Sequence, residues 1–289
     1  MKKITLCLFV LSLVLTACST VPETEPEPMA AAPFAYHLEE QAEEDDAYAP
    51  DGQLISMYNY YLPRLVADEP LTAEQQASVD AFNAWVDEFR TDSLAYYDEE
   101  VKDAAEVVYP SDKKLGIPWN MAYFDSLSYT ANCRERSVAL RISEATHTGG
   151  AHPISGVLCR FFDLTTGEWL TAEDLTDDLP AFQNAVAESI LTTIAEQGLA
   201  EYYFDDYETT VRTQNPEGLE YDFGASDTEF NLPFIGAEEG AEPVIDGIVV
   251  CFQDYTIGPH AAGMPSFFVP SSALLEVLNE RALTLLDWN

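Results

Sequence analysis

Two amphipathic helical segments on either side of a cluster of strand-like segments are the feature that most constrains this fold. Residues 71–101 open with Thr72 and Gln75 at capping-box spacing and repeat apolar residues every three or four positions. Residues 177–198 repeat the helical pattern and reach Gly198, a residue that commonly ends a helix. Residues 271–283 predict a third, short C-terminal helix.

The strand-like segments alternate apolar and polar residues. They span residues 124–133, 137–145, 157–164, 168–175, 247–255 and 265–270. The order helix, strand cluster, helix, strand pair, helix lacks the regular alternation that a doubly wound parallel sheet needs. We therefore predict an α+β fold of two helix-plus-antiparallel-sheet subdomains, residues 51–175 and 176–289, with the third helix at the C-terminus.

The N-terminus has the features of an export signal. Lys2 and Lys3 precede a short apolar run that stops at Leu-Thr-Ala-Cys, with Cys18 last. This ending resembles the bacterial lipobox, in which the cysteine becomes the lipidated first residue of the mature protein. We therefore expect residues 1–17 to be a lipoprotein signal peptide and Cys18 to anchor the protein to the extracytoplasmic side of the cell membrane. A plain secretory signal with a chance cysteine is the alternative.

The segment after the signal is rich in proline, alanine and acidic residues. Residues 18–50 contain few large apolar side chains, so they would bury too little surface to offset the entropy of ordering. We predict a disordered tether that lifts the folded region off the membrane.

Charge limits the partners. The chain has 13 Lys+Arg against 51 Asp+Glu, for a formal net charge of -38 at pH 7. Such a chain repels nucleic-acid phosphates and attracts cations and basic proteins. Nucleic acid is therefore excluded as a partner, although solubility outside the cell explains most of the charge.

Cysteine content allows at most one internal disulfide. With Cys7 in the signal and Cys18 lipidated, an odd number remains: Cys133, Cys159 and Cys251. A bridge and buried free thiols are equally compatible with the strand-like sequence around them. No C-x-x-C motif indicates redox or zinc chemistry.

A glycine turn between two strand-like segments carries two histidines. In "EATHTGGAHPISG", residues 144–156, His147 and His152 are five positions apart, which does not match the four-residue spacing of a helical metal pair. Gly149 and Gly150 supply the positive φ of a tight hairpin connection. We favour the turn, and a weak ion held by His147, His152 and His260 is the alternative.

A second loop has the composition of a recognition surface. Residues 254–265, "DYTIGPHAAGMP", are dense in glycine and proline and carry Tyr255, Pro259 and His260. The sequence contains no G-x-S-x-G elbow, no H-E-x-x-H motif and no phosphate-binding glycine loop. We assign no catalytic residue and no cofactor, and binding is favoured over catalysis.

Three segments in order carry a family resemblance. The segments "THTGGAHP", "FFDLTTGEWLTAEDL" and "GIVVCFQDYTIGPHAAGMPSFFVPSSAL" resemble signatures of the extracytoplasmic domain of RsiV-type anti-sigma factors and of the region preceding the catalytic domain in PdaC-type peptidoglycan deacetylases. The order and spacing agree across residues 50–285. His260 departs from the pattern, because the family usually has tyrosine there.

The resemblance implies a binding role. It makes residues 51–175 PdaC-like and residues 176–289 RsiV-like, and RsiV-type domains bind lysozyme outside the membrane. Because the long apolar run is the signal, we expect a standalone lipoprotein form without the membrane span and sigma-binding region of an anti-sigma factor, and without a deacetylase domain. Recognition would involve both loops: Thr148, Gly149, Gly150, His152, Tyr255, Pro259 and His260.

Three functions are consistent with these observations. The leading hypothesis is a lipid-anchored binding protein for a basic wall-active protein such as lysozyme, or for peptidoglycan. The second is a metal-dependent wall-modifying hydrolase or deacetylase accessory, with His147 and His152 as metal ligands. The third is a structural envelope lipoprotein.

Overall fold

The described part of the chain forms two β-sheets with helices packed against them. A computed structural model of the protein describes residues 31–224 and 246–288. Cys18 and the signal peptide lie outside these ranges. Within them, no helix is both long and apolar enough to cross a membrane.

The strands form one large and one small sheet. The large sheet has the order β1-β2-β3-β4-β5-β6 and the small sheet the order β7-β8-β9. The strands are β1 Tyr36–Tyr48, β2 Leu54–Ala67, β3 Tyr123–Cys133, β4 Ser137–His147, β5 Ile154–Asp163, β6 Glu168–Leu170, β7 Leu219–Asp222, β8 Gly247–Phe252 and β9 Ser266–Pro270. The helices are α1 Ala73–Tyr96, α2 Asp103–Leu115, α3 Leu179–Gln197, α4 Tyr207–Thr213 and α5 Glu280–Leu286. The predicted α+β class is confirmed.

Local signals fixed the helix ends. At the start of α1, the backbone N–H of Gln75 donates to the Thr72 hydroxyl at 3.3 Å, and the Thr72 N–H donates to the Gln75 side chain at 2.9 Å. Gly198 ends α3 in the left-handed conformation with φ 66°. The C-terminal helix begins later than predicted, at Glu280, because Asn279 caps it by accepting from the Ala282 N–H at 2.9 Å.

The large sheet is mixed, whereas the sequence predicted antiparallel pairing throughout. Ser56–Tyr60 of β2 runs parallel to Tyr123–Leu127 of β3, and the other strand pairs are antiparallel. Parallel neighbours need a long crossover, and α1 and α2 supply it.

The predicted tether is wrong from residue 31 onward. Residues 36–48 form β1, which pairs with β2 along its length. Upstream of β1, Phe34 is buried in the core beneath α1, and the Ala31 N–H donates to the Thr165 carbonyl at 2.7 Å. The acidic side chains of β1 are mostly exposed, because it is an edge strand. Their charge gave this segment the composition of a disordered region.

Both faces of the large sheet are covered. One face packs on α1, where Phe82 contacts Phe162 and is joined by Leu140 of β4. On the opposite face, Ala139 and Phe161 belong to the core built around α3 and the small sheet. The two predicted subdomains therefore share a packed interface, which includes β5 against the small sheet. Their boundary near residue 175 stays a prediction.

Candidate functional site

Two loops from different sheets meet at one point on the surface. The first, residues 148–153, joins β4 to β5, and the second, residues 253–265, joins β8 to β9. The imidazole ring of His152 stacks on that of His260, with ring centroids 3.6 Å apart and an interplanar angle of 11°. Tyr255 stacks on His260 with centroids 5.9 Å apart. We call the side chains of His152, Tyr255 and His260 the two-loop surface.

The glycine pair forms the turn that the sequence predicted. The antiparallel pairing of β4 and β5 runs to Thr146 opposite Ile154. Gly149 has φ 101° and Gly150 has φ 98°, a region that side chains with a Cβ rarely adopt. A Cβ at Gly149 would also lie 2.6 Å from the Tyr123 hydroxyl oxygen, whereas nothing lies within 4 Å of one at Gly150. Only glycine fits at the first position.

A carboxylate within the second loop orients the His260 ring. The ring Nδ1 of His260 lies 2.5 Å from Asp254 Oδ2 and donates to it, and the Asp254 side chain is only 8% exposed. Tyr255 is 56% exposed and has φ 63°, a strained conformation for a non-glycine residue. Pro259 accepts from the Ala262 N–H at 2.7 Å and so closes the turn that carries His260.

Gln253 joins the second loop to β5. Its side-chain Nε2 donates to the Val157 carbonyl at 2.6 Å, and the Val157 N–H donates to Gln253 Oε1 at 3.2 Å. We call this pair of bonds the Gln253 clamp. Sequence reasoning missed it, because the two residues lie 96 positions apart and nothing local marks either one.

A cleft of about 640 Å³ opens beside the first loop. The loop contributes Thr148, Gly149, Gly150 and His152 to its lining, and Asp92, Asp125 and Glu144 contribute carboxylates. None of the described residues that line it is lysine or arginine. Its remaining walls include apolar side chains: Phe89, Tyr96, Leu127 and Ile154. The cleft is therefore acidic, with apolar walls.

The two inner carboxylates have different surroundings. Asp125 is buried and accepts hydrogen bonds from the Tyr60 hydroxyl at 2.5 Å and the Thr146 hydroxyl at 2.5 Å. Burial raises the pKa of Glu144, and the negative charge of Asp125 raises it further. A cation in the cleft would relieve this repulsion and favour the ionised form of Glu144.

The structure separates the two histidines of the metal hypothesis. His147 is 5% exposed and packs against the rings of Tyr123 and Phe124, with centroids 5.9 and 5.8 Å away. His147 therefore lies outside the turn in which the sequence placed it, because it is the last residue of β4 and faces inward. His152 is exposed and contacts His260 instead. No group of three or more His, Cys, Asp or Glu residues in ranges 31–224 and 246–288 is arranged to hold a metal ion.

The fold is similar to that of a known crystal structure. No curated protein matches the chain. A crystal structure of a DUF3298 family member from Bacteroides fragilis NCTC 9343 aligns with a TM-score of 0.58 at 14% identity, covering 90% of this chain and 100% of that one. A DUF3298 family protein from Pseudomonas aeruginosa PAO1 aligns with a TM-score of 0.47 at 15% identity, covering 89% of this chain and 97% of that one.

A family model matches one part of the chain, from β6 through α3 and the small sheet. The matched range includes the second loop but not the first. Residues 170–272 match the model of the family described as "Protein of unknown function (DUF3298)".

Proposed function

We propose that this protein is a lipid-anchored binding protein on the extracytoplasmic side of a bacterial cell membrane, and that its two-loop surface recognises a basic wall-active protein of the lysozyme type. Peptidoglycan, which such proteins attack, is the alternative ligand. The anchor is Cys18, and recognition requires no catalytic step.

The meeting of the two loops carries the proposal. His152 and Tyr255 are exposed, and His260 is partly so, on loops fixed by the glycine turn and the Gln253 clamp. Aromatic side chains held in place in advance lose little entropy on binding, so they make effective contact residues. The strained backbone of Tyr255 supports a functional loop, because such strain is retained where it positions a side chain.

The charge of the neighbouring cleft supports a cationic partner. Asp92, Asp125 and Glu144 line it, and its apolar walls suit the aliphatic stem of an arginine or lysine. A basic side chain entering the cleft would meet these carboxylates, and no lysine or arginine is among the described residues that line it. The net charge of -38 adds long-range attraction, which speeds encounter with a basic protein.

The family resemblance supports the lysozyme class. The DUF3298 domain is the one found in RsiV-type and PdaC-type proteins. The second loop, which lies inside the matched range, is where the sequence resembles the RsiV-type pattern. His260 replaces the usual tyrosine there and brings a ring that Asp254 orients.

Surface-binding kinetics test the proposal. The immobilised chain is exposed to hen and phage-type lysozymes at about 50 mM and about 500 mM salt, because the Debye length is only about 10 Å at 0.1 M. We expect binding at low salt and an association rate roughly tenfold slower or more at high salt. Cytochrome c serves as a small basic protein of unrelated surface, and purified peptidoglycan is tested by co-sedimentation.

Two results would overturn the proposal. The first is no binding of either lysozyme, or of peptidoglycan, at low salt. The second is equal binding of cytochrome c and lysozyme, since attraction by net charge alone would then explain the data.

A further inference from the structure

Two of the three described cysteines face each other across the two sheets. Cys159 lies on β5 of the large sheet and Cys251 on β8 of the small sheet. They are 6% and 0% exposed and share one apolar cluster with Val157 and Val249. Within this small cluster the two cysteine side chains lie next to each other. The third, Cys133, is exposed at the end of β3.

We propose that Cys159 and Cys251 are a disulfide site, and that the bond joins the large sheet to the small sheet in the exported protein. The structure contains both residues as free thiols. Their contact selects one pairing out of the three that Cys133, Cys159 and Cys251 allow. Exported proteins meet oxidising conditions, under which such a pair closes.

The position of the pair links it to the two-loop surface. Cys159 follows Val157 by two residues, and Cys251 precedes Gln253 by two residues. Side chains two apart on a strand share a face, so Val157 and Cys159 both face the small sheet. The disulfide would form beside the Gln253 clamp, on the strands that enter both loops. It would fix the position of His152 relative to His260.

The disulfide would form by two successive thiol–disulfide exchange steps. The Cys251 thiolate attacks an external disulfide, such as oxidised glutathione or an oxidised thiol–disulfide oxidoreductase, and releases one thiolate. Cys159 then loses its proton to solvent, and its sulfur attacks Cys251 Sγ and releases the second thiol. Two S–H bonds are lost, one S–S bond forms, and the external disulfide is reduced to two thiols.

Because both sulfurs are buried in the folded protein, the disulfide would form before the two sheets pack against each other. Neither sulfur is accessible to an oxidant in the packed interface, so exchange takes place while the chain folds or when the sheets separate transiently.

Oxidative refolding tests the proposal. The reduced, unfolded full chain is refolded in a glutathione redox buffer, quenched with an alkylating reagent and digested for mass spectrometry. We expect a cross-linked peptide pair containing Cys159 and Cys251, with Cys133 alkylated. The oxidised protein should melt on the order of 5–15 °C above the same protein refolded in reductant, because the bond closes a long loop in the unfolded chain.

Variants and controls separate the pairing from folding. Cys133→Ser should leave the cross-link and the melting shift unchanged, while Cys159→Ser should abolish both. If Cys159→Ser does not fold, the peptide map of the unmutated chain still decides the pairing. The proposal is wrong if Cys159 and Cys251 are both alkylated after oxidative refolding, if Cys133 is in the cross-link, or if the chain refolded with oxidant melts no higher than the chain refolded with reductant.

Discussion

Gln253 makes two hydrogen bonds to the backbone of Val157, as a neighbouring strand would, although Val157 lies in the large sheet and Gln253 directly follows a strand of the small sheet. The donor and the acceptor of one side-chain amide satisfy the carbonyl and the N–H of one residue. The second loop begins at this point, so this amide helps to position it relative to the first loop. Loss of either half of the amide should therefore affect both stability and the site.

Gln253→Glu tests the clamp with almost no change in shape. A carboxylate cannot donate to the Val157 carbonyl at neutral pH, so the buried acceptor loses its partner. We expect a decrease of about 1–3 kcal/mol in the free energy of unfolding and faster hydrogen exchange at the Val157 amide. Gln53→Glu is the control, because Gln53 also donates to a backbone carbonyl but is exposed. A change at Gln253 no larger than at Gln53 would show that the clamp does not hold the loops.

The glycine turn predicts a difference between neighbouring substitutions. Gly149→Ala and Gly150→Ala each place a Cβ at strongly positive φ, which costs about 1–3 kcal/mol. At Gly149 the Cβ also meets the Tyr123 hydroxyl, and Tyr123 cannot easily move because Trp119 stacks on it at 5.0 Å. We expect Gly149→Ala to lose about 1 kcal/mol or more beyond Gly150→Ala in urea unfolding. Equal losses would mean that the Tyr123 contact is unimportant.

Glu144 should make stability depend on pH. Its pKa is raised in the folded protein, so the folded state binds the proton more tightly than the unfolded state. The contribution of Glu144 to the free energy of unfolding is therefore most favourable below the ordinary glutamate pKa, and it is lost as pH rises through the raised pKa. Glutamine carries no charge, so Glu144→Gln removes the cost of ionising this buried side chain. The variant should melt at a higher temperature than the unmutated protein at pH 7.5, and the difference in melting temperature should shrink toward pH 5. Glu99→Gln, at an exposed glutamate, controls for the loss of one negative charge. A variant less stable than the unmutated protein at pH 7.5 would contradict the expectation.

The two-loop surface should control dissociation of a bound lysozyme-type partner. Tyr255→Ala and His260→Ala remove contacts made only after docking, so we expect dissociation roughly tenfold faster or more, with association changed less than about threefold. Tyr48→Ala is the matched control, because Tyr48 is 58% exposed and lies outside both loops. Surface-binding kinetics measure both rates. An effect of Tyr48→Ala as large as that of Tyr255→Ala would place the binding surface elsewhere.

Cys18 should determine membrane attachment without affecting the fold. The described fold begins at residue 31, so Cys18→Ala should release a folded protein from the membrane fraction. Cell fractionation and a melting curve of the released protein measure the two effects. Recovery of the variant in the membrane fraction, after cleavage of the signal has been verified, would rule out lipid anchoring through this residue.

Local sequence patterns predicted helices and strands, whereas contacts between residues far apart in the chain determine how the strands pair. The Thr72 capping box and Gly198 fixed helix ends that the structure confirms, because these signals act over a few residues. The parallel pairing of β2 with β3 was missed, since it depends on a crossover longer than any pattern in the strands themselves.

The same distinction applies to the candidate site. Sequence composition singled out both loops, but it could not show that His152 would stack on His260. It placed His147 in the glycine turn, whereas His147 is the last residue of β4 and its side chain is buried. It also left the cysteine pairing open, because Cys159 and Cys251 become neighbours only when the two sheets pack.

The acidic strand β1 also affects how separate copies of the protein meet. It occupies one edge of the large sheet, and an open edge is where a second molecule could add a strand and begin an aggregate. Six carboxylates stand along this edge: Glu39, Glu40, Glu43, Glu44, Asp45 and Asp46. An identical edge approaching it would bring these charges together at strand spacing, where like charges repel. The charge that made this segment resemble a tether therefore keeps crowded copies of the protein from joining sheet to sheet.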